Sequence, residues 1–173
     1  KNYSRWHKVL RVEVDEGDSR RIGLSTHPHT NLFTQVDRTK DPDFFIRFMD
    51  EAQKPPAIKE SKRLMLERIA LRPGAAVLDV GCGPGTDMFD MVELVGPTGR
   101  IVGLDASEVM LAEARRRAKQ FHVRITFEVG DVQALPFPDG TFDVCRAERL
   151  LEHLPDAGRA LTEMVRVTRP GGR

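Results

Sequence analysis

The sequence has little cysteine, no excess of either charge and no long apolar run. Two of its 173 residues are cysteine, and Cys82 and Cys145 lie far apart without metal-ligand spacing, so we expect neither a disulfide nor a bound metal. Because thiols persist in reducing compartments, the expected location is the cytoplasm. No stretch approaches the roughly 20 apolar residues of a membrane-spanning helix, so no membrane span is expected.

Acidic and basic residues are nearly balanced along the chain. There are 27 Lys and Arg residues against 26 Asp and Glu residues, for a net charge of +1. This balance argues against a protein built mainly to bind nucleic acid. The basic run 115–117 falls in the last turns of a predicted helix, where the helix dipole favours cations, and is interpreted as a solvated helix face. His27 and His29 lack the further ligands that a metal site requires.

The most informative stretch is residues 77–86, in which an apolar strand leads directly into a glycine-rich turn. Gly81, Gly83 and Gly85 would allow the backbone to approach a ligand where a Cβ atom would clash. A dinucleotide fingerprint needs its third glycine at the position of Thr86, which disfavours a nicotinamide dehydrogenase. No Gly-Lys-Ser/Thr follows, so a phosphate-binding Walker loop is excluded.

A second apolar run, 100–105, ends in an acidic residue. Asp105 lies 20 residues after Gly85, and a carboxylate at about this distance from a glycine turn binds ribose hydroxyls in nucleotide-binding folds. Ser107 is a predicted helix N-cap, which places Asp105 at the carboxyl end of its strand. The alternative is that Asp105 is a solvated turn residue.

The chain divides into three parts. Residues 1–40 are polar and are predicted to form an arm or lid that contains a short strand, Val9–Val14. Two aromatic residues of this segment, Trp6 and Phe33, could cover a substrate or cofactor, although such aromatics more often anchor an arm to the core. Residues 41–72 are a helical lead-in, with one helix starting at Asp41-Pro42 and a second from about Lys59 to Leu71. Residues 73–173 are predicted to form an α/β core, and the total length suits a substantial hydrophobic core.

Within the core, strands and helices alternate. The predicted strands are Ala76–Val80, Ile101–Leu104, Val123–Val129 and Phe142–Ala147, and the predicted helices are Asp87–Val95, Glu108–Lys119 and Asp156–Thr168. Alternation of this kind predicts a doubly wound, mostly parallel sheet. A ligand then belongs at the carboxyl ends of the strands.

Five segments, from about Lys59 to the end, together resemble a known family. They are VLDVGCGPGTD at 77–87, GLDAS at 103–107, GDVQALPF at 130–137, FDVCRAERLLEHLPD at 142–156 and RVTRPGG at 166–172. In this order they are similar to class I S-adenosylmethionine-dependent methyltransferases of the UbiE-like, methyltransferase type 11 group, which have a Rossmann-like fold. The resemblance implies an enzyme that uses S-adenosyl-L-methionine and releases S-adenosyl-L-homocysteine.

The resemblance also implies which residues bind the cofactor. The methionine part falls to Asp79, Gly81, Gly83 and Gly85, the ribose to Asp105 and the adenine to Asp131. Physical reasoning agrees, because neither Lys nor Arg occurs from 73 to 97, whereas a phosphate site is rarely so free of cations. The backbone N–H of Val132 could donate to an adenine nitrogen. Further apolar contacts to adenine are predicted for Ala106, Met110 and Leu135, although ordinary helix packing explains Met110 equally well.

Methyl transfer requires an aligned nucleophile, and a general base only for some acceptors. His153 is the candidate base, against the alternative of a structural histidine. Arg146, Glu148 and Arg149 border the expected site and are interpreted as solvated or salt-bridged, without a catalytic role.

The favoured function is transfer of a methyl group to an oxygen, nitrogen, carbon or sulfur atom of a small molecule. An RNA, DNA or protein methyltransferase is the alternative, although residues 143–147 lack the Asn/Asp-Pro-Pro-aromatic signature of similar enzymes that modify nucleobase amines. A cofactor-binding module without catalysis is a third hypothesis. Because the family continues into a fifth strand after 169–173, we expect the C-terminal strands to be missing, one sheet edge to be unpaired and turnover by this chain alone to be weak or absent.

Overall fold

The computed structural model of the protein describes residues 32–121 and 124–173, without the side chains of Leu32 and Thr34. The predicted strand Val9–Val14 lies outside the described residues, as do Trp6, His27 and His29. The helices are α1 (Pro42–Ala52), α2 (Pro56–Ile69), α3 (Thr86–Val95), α4 (Glu108–Ala118) and α5 (Ala157–Val167). The strands are β1 (Ala76–Val80), β2 (Arg100–Asp105), β3 (Arg124–Val129) and β4 (Val144–Ala147). Short 3₁₀ helices span Leu32–Arg38, Val132–Ala134 and Leu151–His153.

The four strands form one parallel sheet in the order β3-β2-β1-β4. Val77 of β1 is in register with Ile101 of β2 on one side and with Val144 of β4 on the other. Strand order that reverses beside β1 is the mark of a doubly wound sheet, so the predicted fold class is confirmed. The carboxyl ends of β1, β2 and β4 therefore meet at one edge of the molecule.

Apolar side chains cover both faces of the sheet. On the first face the buried residues include Val77, Met88, Val95, Ile101 and Leu111, contributed by β1, β2, α3 and α4. On the second face they include Leu78, Val80, Leu104, Phe142, Ala160 and Val167, with α5 as the covering helix. Alternate residues of β1 thus serve opposite faces, which is why the strand is almost continuously apolar.

Several predicted boundaries shift by a few residues. Helix α2 begins at Pro56 rather than near Lys59, because proline is well tolerated in the first turn of a helix, where its missing N–H has no partner to lose. Strand β4 begins at Val144 instead of Phe142, and Phe142 forms an isolated parallel bridge with Thr168. The first residue of the predicted third strand, Val123, lies outside the described residues.

One further residue, Arg173, pairs with the outer edge of β4. The backbone N–H of Cys145 donates to the carbonyl of Arg173 at 2.9 Å, and the N–H of Arg173 donates to the carbonyl of Asp143 at 3.0 Å. These two bonds have the pattern of a parallel ladder. The edge that was expected to be unpaired is therefore engaged at this position by the last residue of the chain.

Gly103, in the middle of β2, offers a test of core packing. A Cβ atom there would lie 2.7 Å from Sδ of Met88 and 2.8 Å from Sγ of Cys82. We expect Gly103→Ala to lower the free energy of unfolding by about 1–3 kcal/mol through overpacking. Urea denaturation measures this loss, and Gly158→Ala in the exposed first turn of α5 is the control, expected to leave the free energy of unfolding unchanged or to raise it by up to about 1 kcal/mol, because alanine favours a helix over glycine. Equal effects of the two substitutions would contradict the packing argument.

Candidate functional site

The glycine-rich turn joins β1 to α3 and has a conformation that needs glycine. The φ angles of Gly81, Gly83 and Gly85 are 67°, 54° and 77°, all in the left-handed region. A Cβ atom on Gly81 would lie 2.7 Å from Cδ1 of Leu150, and one on Gly83 would lie 2.7 Å from Cε of Met49. The turn therefore combines backbone geometry and close contacts that other residues cannot reproduce.

A cavity of about 260 Å³ lies at the carboxyl ends of the strands. Its floor includes Gly81 and Gly83 of the turn, together with Asp105 and Gly130 at the ends of β2 and β3. One wall is the segment after β4, which contributes Glu148, Arg149, Leu150, Glu152, His153 and Leu154. The elements that precede the core contribute Phe33, Val36, Phe48 and Met49, which are called the roof here. The cavity is thus where doubly wound folds bind their ligands.

The structure separates the predicted cofactor residues into groups. Those that line the large cavity are Gly81, Gly83, Asp105, Ala106, Met110 and Val132, together with the candidate base His153. Asp79 lines a smaller adjacent cavity of about 20 Å³. Gly85 lies behind the turn, where a Cβ atom would be 3.2 Å from Cβ of Ala114. Leu135 is 5% exposed and belongs to the core on the second face of the sheet.

Asp131 stands apart from both cavity linings. Its Oδ1 accepts a hydrogen bond from the backbone N–H of Gln133 at 2.8 Å, which caps the 3₁₀ helix that starts at Val132. The predicted contact of Asp131 with adenine is therefore not part of the observed cavity lining and stays a prediction.

Asp105 connects the turn to the second strand. Its Oδ2 accepts from the backbone N–H of Gly83 at 2.8 Å, and its Oδ1 accepts from the N–H of Ser107 at 2.9 Å. Burial raises the pKa of this carboxyl, while the two backbone donors act in the opposite direction. Since Asp105 also lines the cavity, one carboxylate both fixes the turn and presents acceptor oxygens to a ligand.

The roof is fastened to the N-terminus of α4 through Asp37. The carboxylate of Asp37 accepts from the backbone N–H of Glu108 at 2.8 Å and from the hydroxyl of Ser107. Unpaired N–H groups and the helix dipole make a helix N-terminus a favourable place for a carboxylate. Residues 32–38 are therefore bound to the element that follows Asp105 directly.

A second attachment of the roof comes from Arg117. Its guanidinium forms a two-point ion pair with Asp50 of α1, with both N–O distances at 2.8 Å, and it also donates to the hydroxyl of Thr86 at 3.2 Å. The interpretation of residues 115–117 as a solvated face is therefore corrected for Arg117, because Asp50 draws its side chain against α1. Arg115 and Arg116 are exposed and pair with Glu108 and Glu113.

A buried charge cluster lies beneath the glycine turn and consists of Lys62, Asp79, Asp87, Arg146 and Glu148. The side chain of Arg146 is 4% exposed and contacts Asp79 at 3.4 Å, Asp87 at 3.2 Å and Glu148 at 2.7 Å. Lys62 of α2 pairs with Asp87 and lies 3.7 Å from Glu148. The prediction that Arg146 and Glu148 are salt-bridged is confirmed, but Arg146 is buried rather than solvated.

Burial governs protonation in this cluster. It raises the pKa of Asp79 to about 7, against the attraction of Arg146, which lies beside it in register on β4. Burial and the neighbouring Asp87 also raise the pKa of Glu148. Asp79 is therefore close to half ionised near neutral pH. The sequence signal for the buried ion pair of Arg146 is its position in an otherwise apolar strand, because a buried arginine almost always has a partner.

His153 lies in the wall of the cavity next to the roof. Its ring stacks on that of Phe33, with centroids 5.3 Å apart and 20° between the ring planes. Burial lowers the pKa of His153 from its usual range. The imidazole is consequently neutral at physiological pH and has a nitrogen lone pair that could accept a proton.

A doubly wound parallel sheet with a glycine turn after β1, a carboxylate at the end of β2 and a cavity above both matches the Rossmann-like fold of class I methyltransferases. A family model described as a methyltransferase domain matches residues 77–172. The chain belongs to this methyltransferase family, and its membership implies S-adenosylmethionine as the cofactor.

Two relatives match most of the chain. The chain is 39% identical over 147 residues to an uncharacterized 37.1 kDa protein in a transposon of Streptomyces fradiae, covering 85% of this chain and 42% of that protein. It is 35% identical over 152 residues to a demethylmenaquinone methyltransferase of Lactococcus lactis, covering 84% of this chain and 60% of the relative. The chain thus spans about half the length of these two relatives.

A solved structure shows the same fold. It is a SAM-dependent methyltransferase from Aquifex aeolicus with a TM-score of 0.61 and 24% identity, and the match covers 69% of this chain and 65% of that one. In the part of the chain that the structure describes, no helix has both the length and the apolar character to cross a membrane.

The residues present suit the cofactor of this family. The left-handed glycines form a surface that a Cβ atom would obstruct, and Asp105 and Asp79 supply carboxylates for hydroxyl and ammonium groups. A sulfonium nucleoside with an amino-acid tail requires these donor and acceptor types, whereas a pyrophosphate would require cations or a free helix N-terminus.

Proposed function

We propose that this chain forms the cofactor-binding part of an S-adenosylmethionine-dependent methyltransferase that acts on a small molecule. The observation that carries the proposal is the position of Asp105, which lines the cavity while it accepts the N–H of Gly83 in the glycine turn. Asp105 thereby holds its carboxylate, the proposed ribose-binding group, at a fixed distance from the glycine turn. The glycine turn contacts the methionine part of the cofactor in this proposal. When bound, S-adenosylmethionine supplies an activated methyl group on its sulfonium.

In this proposal Asp105 accepts the ribose hydroxyls and Ala106, Met110 and Val132 surround the adenine, with Asp131 as the partner of its exocyclic amine. Gly81 and Gly83 shape the surface beneath the methionine part, Gly85 allows the turn to pack closely against α4 behind them, and Asp79 attracts the ammonium of the methionine part. The roof excludes water from the reacting groups, and alignment in such a closed site contributes about 7–11 kcal/mol to methyl transfer.

A small-molecule acceptor is supported by the lining of the cavity beyond the cofactor residues. This part is largely apolar and aromatic, with Phe33, Phe48 and Met49 in the roof and Leu150 and Leu154 in the facing wall. The relative from Lactococcus lactis is named a demethylmenaquinone methyltransferase, which is consistent with a small-molecule acceptor. The cytoplasmic location expected from the sequence stays a prediction.

Binding measurements test the proposal directly. Isothermal titration with S-adenosylhomocysteine is expected to give saturable binding at one site, whereas NAD gives none. Transfer of a labelled methyl group from S-adenosylmethionine to candidate acceptors then tests the reaction. The rate of transfer by this chain is compared with that of a protein that spans the full length of the relatives. Binding of NAD in preference to the nucleoside would contradict the proposal.

His153 is the proposed proton acceptor for acceptors that must lose a proton. We expect His153→Gln to lower kcat by about 10²-fold, at the low end of general-base effects, with KM for S-adenosylmethionine unchanged. Steady-state kinetics on a protein that spans the full length of the relatives measures both quantities, because turnover by this chain alone is expected to be weak or absent. Phe33→Leu is the control, because it removes the stacked ring but leaves the imidazole. A change in KM alone, or no change, would show that His153 has only a structural role.

The proposed ammonium site predicts a pH dependence of binding. Because the pKa of Asp79 is about 7, its carboxyl loses its charge as the pH falls through that value. Affinity for S-adenosylhomocysteine is therefore expected to fall roughly tenfold from pH 8 to pH 6, by linkage of binding to one proton. Titration calorimetry at both pH values measures the change. Asp79→Asn should abolish it and His153→Gln should preserve it; retention of the slope in Asp79→Asn would assign the proton to another group.

A further inference from the structure

Arg149 has an unusual backbone conformation for its residue type. Its φ angle is 51°, in the left-handed region, and among the described residues Ala70 is the other non-glycine residue with positive φ. Ala70 is explained, because it ends α2 as a left-handed cap. Arg149 ends no helix, and for a residue with a Cβ atom this conformation costs roughly 1–2 kcal/mol. Strain of this kind is concentrated at ligand-binding positions.

The conformation places Arg149 between the two cavities. It lines the large cavity together with Gly81 and Leu150, and it also lines the small cavity beside Asp79 and Gly81. A side chain at this junction can reach a ligand that extends from one cavity into the other.

The charges of the small cavity have a distinct arrangement. Asp79, Asp87 and Glu148 line it as carboxyl groups, and Arg149 is the basic residue among its described lining. The other two cations of the neighbourhood, Lys62 and Arg146, lie behind these carboxyl groups and pair with them. The small cavity therefore has a predominantly negative side and one positive position.

Arg149 forms fewer contacts with carboxyl groups than the buried cation Arg146 does. Its side chain is 42% exposed, and within the described residues the one carboxylate oxygen within 4 Å of it is Oε1 of Glu148, 3.7 Å from Nε. This distance exceeds that of a hydrogen bond. Arg146, by contrast, is 4% exposed and contacts three carboxyl groups. The guanidinium of Arg149 thus retains donors for a ligand.

We propose that Arg149 binds the α-carboxylate of the cofactor's amino-acid tail while the ammonium of that tail faces Asp79. This inference rests on the proposed function and assigns a role to a residue that was not expected to have one. A zwitterion presents one charge of each sign, and the lining of the small cavity offers one guanidinium for its carboxylate and a carboxyl-lined side that includes Asp79 for its ammonium. Guanidinium binds a carboxylate through two parallel hydrogen bonds, which gives both affinity and orientation.

The experiment compares ligands that differ at the carboxylate alone. Titration calorimetry is carried out with S-adenosylhomocysteine and with its decarboxylated analogue, which keeps the ammonium. Arg149→Asn is expected to weaken S-adenosylhomocysteine about 10- to 100-fold, the effect of losing a hydrogen bond to a charged group. Binding of the decarboxylated analogue should remain within twofold. Asparagine tolerates the left-handed conformation, so the thermal unfolding midpoint should not fall.

Two further variants sharpen the interpretation. Arg149→Lys keeps the charge without the two-point geometry and is expected to have intermediate affinity. Arg68→Asn, on the exposed surface of α2, is the matched control and should bind both ligands like the unchanged protein. Equal weakening of both ligands by Arg149→Asn, or of neither, would overturn the proposal. Failure of the unchanged protein to bind S-adenosylhomocysteine would overturn the proposed function and this inference together.

Discussion

Replacement of Asp105 by alanine is expected to weaken binding of S-adenosylhomocysteine by about 10²- to 10³-fold, since hydrogen bonds to a charged partner are each worth about 1.5–3 kcal/mol. The substitution removes the proposed acceptor of the ribose hydroxyls. It also removes the acceptor of the N–H of Gly83, which lies 2.8 Å from Oδ2 in the native turn. The loss of affinity therefore combines missing ligand contacts with a loosened turn.

Two variants separate these contributions. Asp105→Asn keeps a carbonyl acceptor for Gly83 and removes the charge, so its affinity is expected to lie between those of the native protein and the alanine variant. Asp156→Ala removes a carboxylate that caps α5 outside the cavity lining and should lower stability by about 1 kcal/mol without changing affinity. Calorimetric affinities within threefold of the native value in Asp105→Ala would contradict the assignment.

The largest effect on stability is expected from Arg146→Met. This variant leaves the buried Asp79 without its cation, and Asp87 and Glu148 each lose a partner. Removing one member of a buried ion pair typically destabilises by about 3–5 kcal/mol. Urea denaturation at pH 8 is expected to give a loss of this size, and Arg68→Met on the surface of α2 should have almost no effect.

The destabilisation by Arg146→Met should depend on pH. The pKa of Asp79 is about 7 in the folded protein against an ordinary value of 3.8, so the folded state binds this proton more tightly than the unfolded state. The contribution of Asp79 to stability is therefore fully present below pH 3.8 and is lost as the pH rises through 7.

At pH 5 Asp79 is largely neutral with or without Arg146, so the effect of Arg146→Met should be smaller than at pH 8. Adding Asp79→Asn should recover part of the loss at pH 8, because the two residues then no longer depend on each other. Equal losses at both pH values would indicate that Arg146 acts through packing rather than through charge.

The sequence alone predicts those parts of the fold and the site whose residues are close together along the chain. The apolar run of β1, the three turn glycines and the acid at the end of β2 are close in sequence, and parallel strands must bring their carboxyl ends together. For that reason the sequence alone predicts that Gly81, Gly83 and Asp105 lie together, and in the structure all three line one cavity; that they bind the cofactor stays a prediction. Membership of the methyltransferase family follows from the same segments.

The contacts that complete the cavity could not be predicted from the sequence. Asp37 bonds to residues about 70 positions away along the chain, and Arg117 reaches Asp50 across 67 positions. Such pairs depend on how α1 and the preceding 3₁₀ helix fold back over the sheet, which no local periodicity specifies. The same holds for Arg149, whose significance lies in a backbone angle and a position between two cavities.

The attachment of Asp37 also has a kinetic consequence. Outward movement of residues 32–38 would strip the N–H of Glu108 and the hydroxyl of Ser107 of their acceptor, and the roof carries Phe33 and Val36 over the cavity. We therefore expect the breaking of this contact to influence how fast a ligand beneath these residues dissociates. A substitution at Asp37 is therefore expected to change the rate of product dissociation rather than the rate of methyl transfer, because its carboxylate holds residues 32–38 against the N-terminus of α4.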